Sequence, residues 1–499
     1  MSKRFTIYVS PSECSIEPQL PIRVVRAINK VTSFELPGAW VSGFGPRRRY
    51  LFSQAKQKFP VGLLKRVRRT IKKNGYRTKT IDYRDEVDVD EDQLSDVIDS
   101  LDRIPRWYQV EGIVSGIKYP YGLFWWPTGS GKTTLFSVLL LCYDIPSLIL
   151  THRRELLYQL KSQISAITDH EVGIIGDGKW KPKKWTVGIV NSFINKGSIR
   201  DTRVKEYLNT VEYLIIDECH HLGASTWINI ARGCRNTKAR HGFSGTCFRT
   251  DNADLLLLAH TGDVISKFTT SYMIDNGWLS RPHIYSDEIN YKGETGSGSS
   301  WHTVQKELIV DNLIRNLKGC KFIYDNYCKN LQVLVMVNRI AHGHVLRSML
   351  QGEYGVEGRD IRFMTGSEAW NVREKALEDY RSGVYPILIG TSIYDEGIDL
   401  PTVGAAANMA GGDSDIKTTQ RLGRAIRKVP TPGEADVDPD TEQTVNYYDP
   451  FDKGHAFVRK HSKHRHAVYE NEKAFVKCGA WGESIDKKTS KTKASKKRC

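Results

Sequence analysis

Long apolar runs are missing. No stretch of the 499 residues stays hydrophobic for the ~18 to 20 positions that a bilayer-spanning helix needs, and the longest, near residues 135–150, is broken by Asp144 and Pro146. The opening residues, MSKRFTIYVSPSE, carry no apolar stretch of the signal-peptide kind. Nine cysteines stand singly, with no C-x-x-C pair anywhere. That spacing offers neither a disulfide framework nor a zinc site, and it fits a reducing cytoplasm. A period of about 20 to 50 residues is also absent, which excludes solenoids and propellers. Acidic residues are scarce at the start: residues 1–80 hold eighteen Lys and Arg against three Glu.

What is present is positive charge, unevenly placed. The chain has a net charge of +16 and an isoelectric point near 9.2, which points to a polyanionic partner. The N-terminal block interleaves that charge with aromatic and apolar positions, as a small folded module does. Gly43, Gly45 and Pro46 make a turn ahead of Arg47, Arg48 and Arg49. Leu63, Leu64, Val67 and Ile71 then recur at helical spacing, with Lys65, Arg66, Arg68 and Arg69 on the other faces and Asn74-Gly75 as a stop. These seven basic residues are candidate contacts to a nucleic-acid backbone. The strongly acidic segment 81–102 reads as a boundary, and the basic residues at the far end of the chain read as a solvated extension.

Beyond the boundary, short apolar runs alternate with helical patterns. GLFWWP, PSLILTH, WTVGIVNSF and VEYLIIDE are strand-like, with KTTLFSVLLLCYD and RRELLYQLKSQISAI helical between them. The polar stretch NYKGETGSGSSWH at 290–302 reads as a flexible linker. The alternation then restarts with LQVLVMVN, DIRFMTG, YPILIGTS and VGAAANMA. Strands alternating with helices give parallel sheets covered on both faces. The expected organisation is a basic α+β module over 1–95, α/β units over 96–285 and 286–450, and a basic extension over 451–499.

The stretch WWPTGSGKTT at 125–134 follows a strand and opens a helix. In that setting Thr128, Gly129, Ser130 and Gly131 form a backbone cradle for phosphates. Lys132 reaches the outer phosphates, Thr133 holds Mg²⁺, and Thr134 follows. The usual first glycine is replaced by Trp126, and the two tryptophans read as the packed end of a buried strand. At 213–221, YLIIDECHH is an apolar strand ending in two carboxylates. Asp217 is placed to hold Mg²⁺ through water and Glu218 to orient an attacking water. ATP and Mg²⁺ are the expected cofactors.

The order of the remaining segments resembles the superfamily 2 helicases over about residues 100–430. PRWYQ at 105–109 is similar to the adenine-reading segment, with Gln109 able to bond adenine. LILTHRRELLYQ at 148–159 resembles the first strand-contacting motif. FSGTCFRTD at 243–251 resembles the Ser-x-Thr link between the ATP site and the rest of the motor. ILIGTSIYDEGIDLP at 387–401 and QRLGRAIR at 420–427 are similar to the last two motifs. The resemblance implies two tandem RecA-like units. It further implies Gly397 and Asp399 at ATP, and Gln420, Arg424 and Arg427 serving the γ-phosphate. His220, Ser244 and Thr246 would couple the two activities, and Arg153, Ser192, Thr391 and Ser392 would contact the strand. The run at 261–282 resembles the end of the first unit in the repair and restriction branches, and the nearest likeness is to phage recombination helicases of the UvsW kind. The expectation is an ATP-driven helicase or translocase on single-stranded, forked or branched DNA, with no membrane partner. An RNA helicase, a duplex translocase subunit without unwinding, and an ATP-dead binding protein are the alternatives.

Overall fold

A computed structural model describes residues 4–41, 45–89, 91–102, 104–194, 201–223, 225–245, 254–296, 298–391, 403–428 and 438–482. The chain divides into two compact units, one of residues 1–127 and 131–268, the other of residues 128–130 and 269 onward. Among the described residues no helix is long and apolar enough to cross a membrane.

The first unit contains an eight-stranded sheet. Its central strands run in the order Ser147–Thr151, Tyr213–Ile216, Ala239–Ser244 and Tyr121–Trp125, with Val264–Lys267 at one edge. These strands pair in parallel. Ser147–Thr151, Tyr213–Ile216 and Ala239–Ser244 are buried along their whole length, as a sheet covered by helices on both faces requires. Parallel pairing brings the carboxyl ends of all four central strands to one edge, where ligands of open α/β sheets bind.

The N-terminal module is a four-stranded sheet of Lys58–Pro60, Glu13–Glu17, Arg4–Val9 and Arg77–Asp82. It is covered by the helices Ile22–Val31 and Leu64–Lys73. Its core does not end at residue 95. Phe5, Ile7, Val24, Ile28, Val67 and Ile71 continue without a break into Ile228, Leu255, Leu256 and Ala259 of the α/β unit. At Gly62 the two backbones meet: a Cβ there would lie 2.0 Å from the Leu258 carbonyl oxygen. The module and the first α/β unit therefore form one body.

The second unit holds a seven-stranded sheet, all of whose pairs are parallel. Two sequence-based boundaries move. The strand Arg281–Tyr285, assigned to the first unit by the boundary at 285, pairs with Thr444–Tyr448 and with Val476–Gly479 in this second sheet. Residues 451–482 are no appendage either, since the helix Ala456–Glu470 and the strand Val476–Gly479 belong to the same unit. The glycine- and serine-rich stretch at 290–302 lies inside the second unit, after the unit boundary at 268. A Cβ on Gly454 would meet the Tyr291 carbonyl at 1.7 Å, so the start of this stretch lies against Gly454.

Candidate nucleotide-binding site and its coupling residues

The loop between the strand Tyr121–Trp125 and the helix Lys132–Tyr143 turns on two left-handed glycines, Gly129 (φ 86°) and Gly131 (φ 80°). A Cβ at Gly131 would lie 2.2 Å from Gln109 Nε2, and the left-handed backbone there strains any residue that has one. Gln109 is 5% exposed, and its Oε1 accepts from the Arg106 backbone N–H at 2.8 Å. The segment at 105–109 and the glycine loop thus touch through Gln109. Lys132 Nζ donates to the carbonyls of Trp126 (3.3 Å) and Pro127 (3.4 Å), which curls the loop around its own cation. Ser130 is buried, and Thr128, Thr133 and Thr134 are partly exposed.

Trp126 is fully buried. Its ring packs against Tyr108, Phe124 and Phe268 at centroid distances of 5.6, 6.1 and 5.2 Å, and its Nε1 donates to Ser266 Oγ at 2.8 Å. An indole with its N–H satisfied in an aromatic nest is a rigid anchor, and it holds the start of the loop where the motif's first glycine is absent. Trp125 lies less deep, with Lys267 Nζ 3.7 Å above its ring.

Asp217 and Glu218 follow the strand Tyr213–Ile216 at the same carboxyl edge. Asp217 is 8% exposed. Burial pushes its carboxyl up to about 6; the charge of Glu218 adds to the rise and Lys132 opposes it. Glu218 has a left-handed backbone, φ 46°, a strained conformation for a residue with a Cβ that costs on the order of 1 kcal/mol. Through it the side chain meets His220, whose Nδ1 lies 3.2 Å from Glu218 Oε2 and 3.0 Å from Ser244 Oγ. A carboxylate at that distance needs a donor, so the proton belongs on Nδ1 and reaches toward both oxygens. Ser244 ends the neighbouring strand. The structure therefore joins Glu218, His220 and Ser244 in one chain of contacts, buried at His220 and Ser244. His152 and His221 lie beside it with tilted rings 4.4 Å apart, and neither was picked out by sequence reasoning. Among the described residues no cluster has the make-up of a structural metal site.

In the second unit Gln420 and Arg424 are buried on the helix Asp415–Ala425, at 4% and 6% exposed. Arg427 follows that helix, and burial pushes its guanidinium down to about 10. Thr391 stands at the carboxyl end of the strand Ile387–Gly390, 8% exposed. Thr246, Ser392, Gly397 and Asp399 lie outside the described residues.

The expected strand contacts divide. Arg153 is half-buried at the start of the helix Arg154–Thr168, and Ser192 is exposed on the turn Val190–Phe193. The side chain of Arg47 lies outside the described residues. Arg48 pairs with Glu35 at 3.1 Å, Arg66 donates to the Val31 carbonyl at 3.2 Å, and Lys65 sits 3.9 Å from Asp263. Arg49 is partly exposed; burial first, then the charges of Arg240, Arg232 and Arg49, hold His260 neutral. Arg68 and Arg69 are exposed, and Lys72 and Lys73, which sequence reasoning left unnamed, extend the same helix face.

Comparison with known proteins agrees with this arrangement. The family described as "Type III restriction enzyme, res subunit" matches residues 101–249, and the "Helicase conserved C-terminal domain" matches residues 314–429. The DNA 3'-5' translocase XPB2 of Sulfurisphaera tokodaii is 26% identical over 402 residues, 71% of this chain and 88% of that protein. The putative DNA 3'-5' helicase Rad25 of Halobacterium salinarum is 26% identical over 373 residues, and there the match spans only 57% of the relative's length. Among solved structures, the DUF1998 helicase MrfA bound to DNA and AMPPNP superposes with a TM-score of 0.56 at 14% identity, over 77% of this chain and 53% of that one. T4 UvsW superposes with a TM-score of 0.46 at 17% identity, over 96% of this chain and 99% of that one. The two family matches together cover more than half of the chain and fall on its two α/β units, so the protein belongs to the superfamily 2 helicases.

Proposed function

We propose that this helicase is an ATP-dependent motor on DNA that unwinds or remodels forked and branched molecules. The carrying observation is structural: a helix with an exposed basic face, bearing Arg68, Arg69, Lys72 and Lys73, shares a core with Ile228, Leu255, Leu256 and Ala259 of the α/β unit whose sheet leads into the Lys132 loop. A backbone-gripping surface fused to an ATPase transmits force to whatever it grips. The names of XPB2 and Rad25 favour DNA, and the preference for branches rests on the sequence resemblance to recombination helicases.

The residues present fit ATP and Mg²⁺. The turn at Gly129 and Gly131 has left-handed backbone angles that leave its N–H groups free of flanking side chains, and Asp217 is a buried carboxylate whose raised pKa marks the cost of its charge. Thr133 and Asp217 would hold Mg²⁺, which supplies charge neutralisation at the phosphates. Lys132 neutralises the outer phosphates, and the loop N–H groups bind oxygens. Glu218, fixed by His220, orients the attacking water. Arg424 and Arg427 stabilise charge on the transferred phosphoryl group, an effect worth roughly 10³ to 10⁵ in rate. The Glu218–His220–Ser244 chain links hydrolysis to the rest of the first unit. Strand contacts go to phosphates, which position a nucleic acid without reading its sequence.

The test is ATP hydrolysis measured with single-stranded, duplex, forked and four-way DNA and with RNA. Highest stimulation by branched DNA is expected. Stimulation by RNA alone would reject the substrate assignment. Lys132→Ala should abolish turnover while DNA affinity is retained, and turnover within a few-fold of wild type would reject the ATP site.

A further inference from the structure

The terminal helix Ala456–Glu470 carries a guanidinium that does not face water. Arg465 is 1% exposed and Asp449, its partner, is fully buried. Arg465 Nε donates to both Asp449 oxygens at 3.1 and 3.0 Å, and Nη2 donates to Oδ1 at 3.0 Å. Tyr469, one turn on, donates its hydroxyl to Asp449 Oδ2 at 2.7 Å. Asp449 also accepts from Asn408 Nδ2 at 3.1 Å, and Asn408 Oδ1 accepts from Arg421 Nη1 at 3.2 Å. Arg421 lies on the helix that bears Gln420 and Arg424. A continuous buried relay thus runs from the terminal helix to the arginine-bearing helix.

The same terminal helix grips the loop that leads into the arginine-bearing helix. Arg465 Nη1 donates to the Gly412 carbonyl at 2.9 Å. Asp413 is met by Lys460, His461 and His464 at 3.8, 3.6 and 2.5 Å. The loop bends through two left-handed glycines, Gly411 (φ 63°) and Gly412 (φ 102°). Asn338 closes the ring, accepting from Arg421 Nη2 at 2.8 Å and donating to the Ala410 carbonyl at 3.2 Å. Glycine-bent loops have little stiffness of their own, so the direction in which Arg424 and Arg427 leave this loop is set by what clamps it.

We propose that Arg465, acting through Asp449 and Asn408, is a positioning residue for the catalytic arginines. The terminal helix is then a working part of the ATPase. The proposal rests on the reading of Arg424 and Arg427 as the arginines that meet the γ-phosphate. Arg465 touches no reactant; it fixes where two others point.

In the full chain, Arg465→Met should lower kcat for DNA-stimulated ATP hydrolysis about 10- to 100-fold, the scale of a misplacement on the order of 1 Å. KM for ATP should stay within about threefold, because ground-state binding belongs to the first unit's cradle. Arg465→Lys should recover part of the loss. The deciding readout combines it with Arg424→Ala and Arg427→Ala together. If Arg465 acts through the arginine-bearing helix, Arg465→Met costs little once both arginines are gone. A further multiplied loss in that combination, or a folded Arg465→Met chain with wild-type kcat, would overturn the proposal. Should Arg465→Met not fold, Asn408→Ala cuts the relay nearer the arginines, leaves the ion pair in place, and is judged by the same two readouts. Wild-type kcat in Arg424→Ala alone would instead overturn the reading beneath the proposal.

Discussion

The helices Leu64–Lys73 and Ala456–Glu470 are both amphipathic and both dense in basic residues, yet they use their charge in opposite directions. The first buries Val67 and Ile71, an apolar stripe, so Lys65, Arg68, Arg69, Lys72 and Lys73 are left at the surface. The second buries Val458, Ser462, Arg465 and Tyr469, a stripe half polar, so one cation turns inward and finds Asp449. The difference lies in what faces the helix. An apolar floor repels charge to water, where it is available to a polyanion. A floor with a buried carboxylate draws charge in, where it fixes geometry. A basic helix is therefore defined by its buried side.

The largest expected effect sets the two helices against each other directly. Arg465→Met removes one partner of a buried ion pair and should cost about 3 to 5 kcal/mol of stability. Arg69→Met, at the surface of the other helix, should change stability by no more than about 0.5 kcal/mol. Denaturant unfolding of both variants checks this, and equal losses would erase the distinction.

A second prediction extends the comparison to the buried acids. Arg465 holds the Asp449 carboxyl below its usual range against the upward push of burial, whereas Asp217, with no such ion pair, is pushed up to about 6 from 3.8. The folded chain then takes up a proton on Asp217 near pH 6, and the unfolded chain only near 3.8. Its cost to stability is complete above pH 6 and fades as the pH falls toward 4. In the absence of Mg²⁺ and nucleotide, Asp217→Asn should stabilise the chain at pH 7.5 by about 3 kcal/mol, at 1.36 kcal/mol per pKa unit. The gain should shrink through that window. A gain independent of pH would show that ionisation is not its source.

The third concerns what holds the outward helix in place. Gly62→Ala puts a methyl group against the Leu258 carbonyl and should destabilise the first unit by about 1 to 3 kcal/mol, read as a lower melting temperature. The smallest effect is on binding. Arg68→Ala and Arg69→Ala should each reduce the slope of log K against log salt on duplex DNA by about 0.9. An unchanged slope would mean that this face does not touch phosphate.

The glycine turn before Lys132 and the buried strand leading into Asp217 were legible in the sequence because both are local. Gly129, Gly131, Lys132 and Thr133 lie within five positions, and the strand before Asp217 is continuously apolar. The same holds for the strand–helix alternation, every run of which became a strand of one of the two sheets. The relay was not legible. Arg465, Asp449, Asn408 and Arg421 have no spacing rule, and a buried arginine looks in sequence like any exposed one. The boundary at 285 failed because Arg281–Tyr285 is strand-like wherever it pairs, and only the sheet decides its partner. The stretch 290–302 misled because glycine and serine suit a surface loop within a unit as well as a linker between units. Fusion of the module to the first unit was invisible too, since Gly62 and Leu258 are brought together only by folding.

That fusion has a consequence for synthesis. The module emerges from the ribosome first, but Ile228, Leu255, Leu256 and Ala259, which complete its core, emerge long after it. About 190 residues separate Ile71 from Ala259. At roughly 5 to 20 residues per second, the module's apolar face goes uncovered for about 10 to 40 s. During that interval the nascent chain carries a sticky surface whose natural cover has not been made, a recognition signal for chaperones. Stalled chains ending near residue 220 should aggregate or bind chaperone, chains ending near 290 should do neither, and equal solubility of the two would show that the module is self-sufficient.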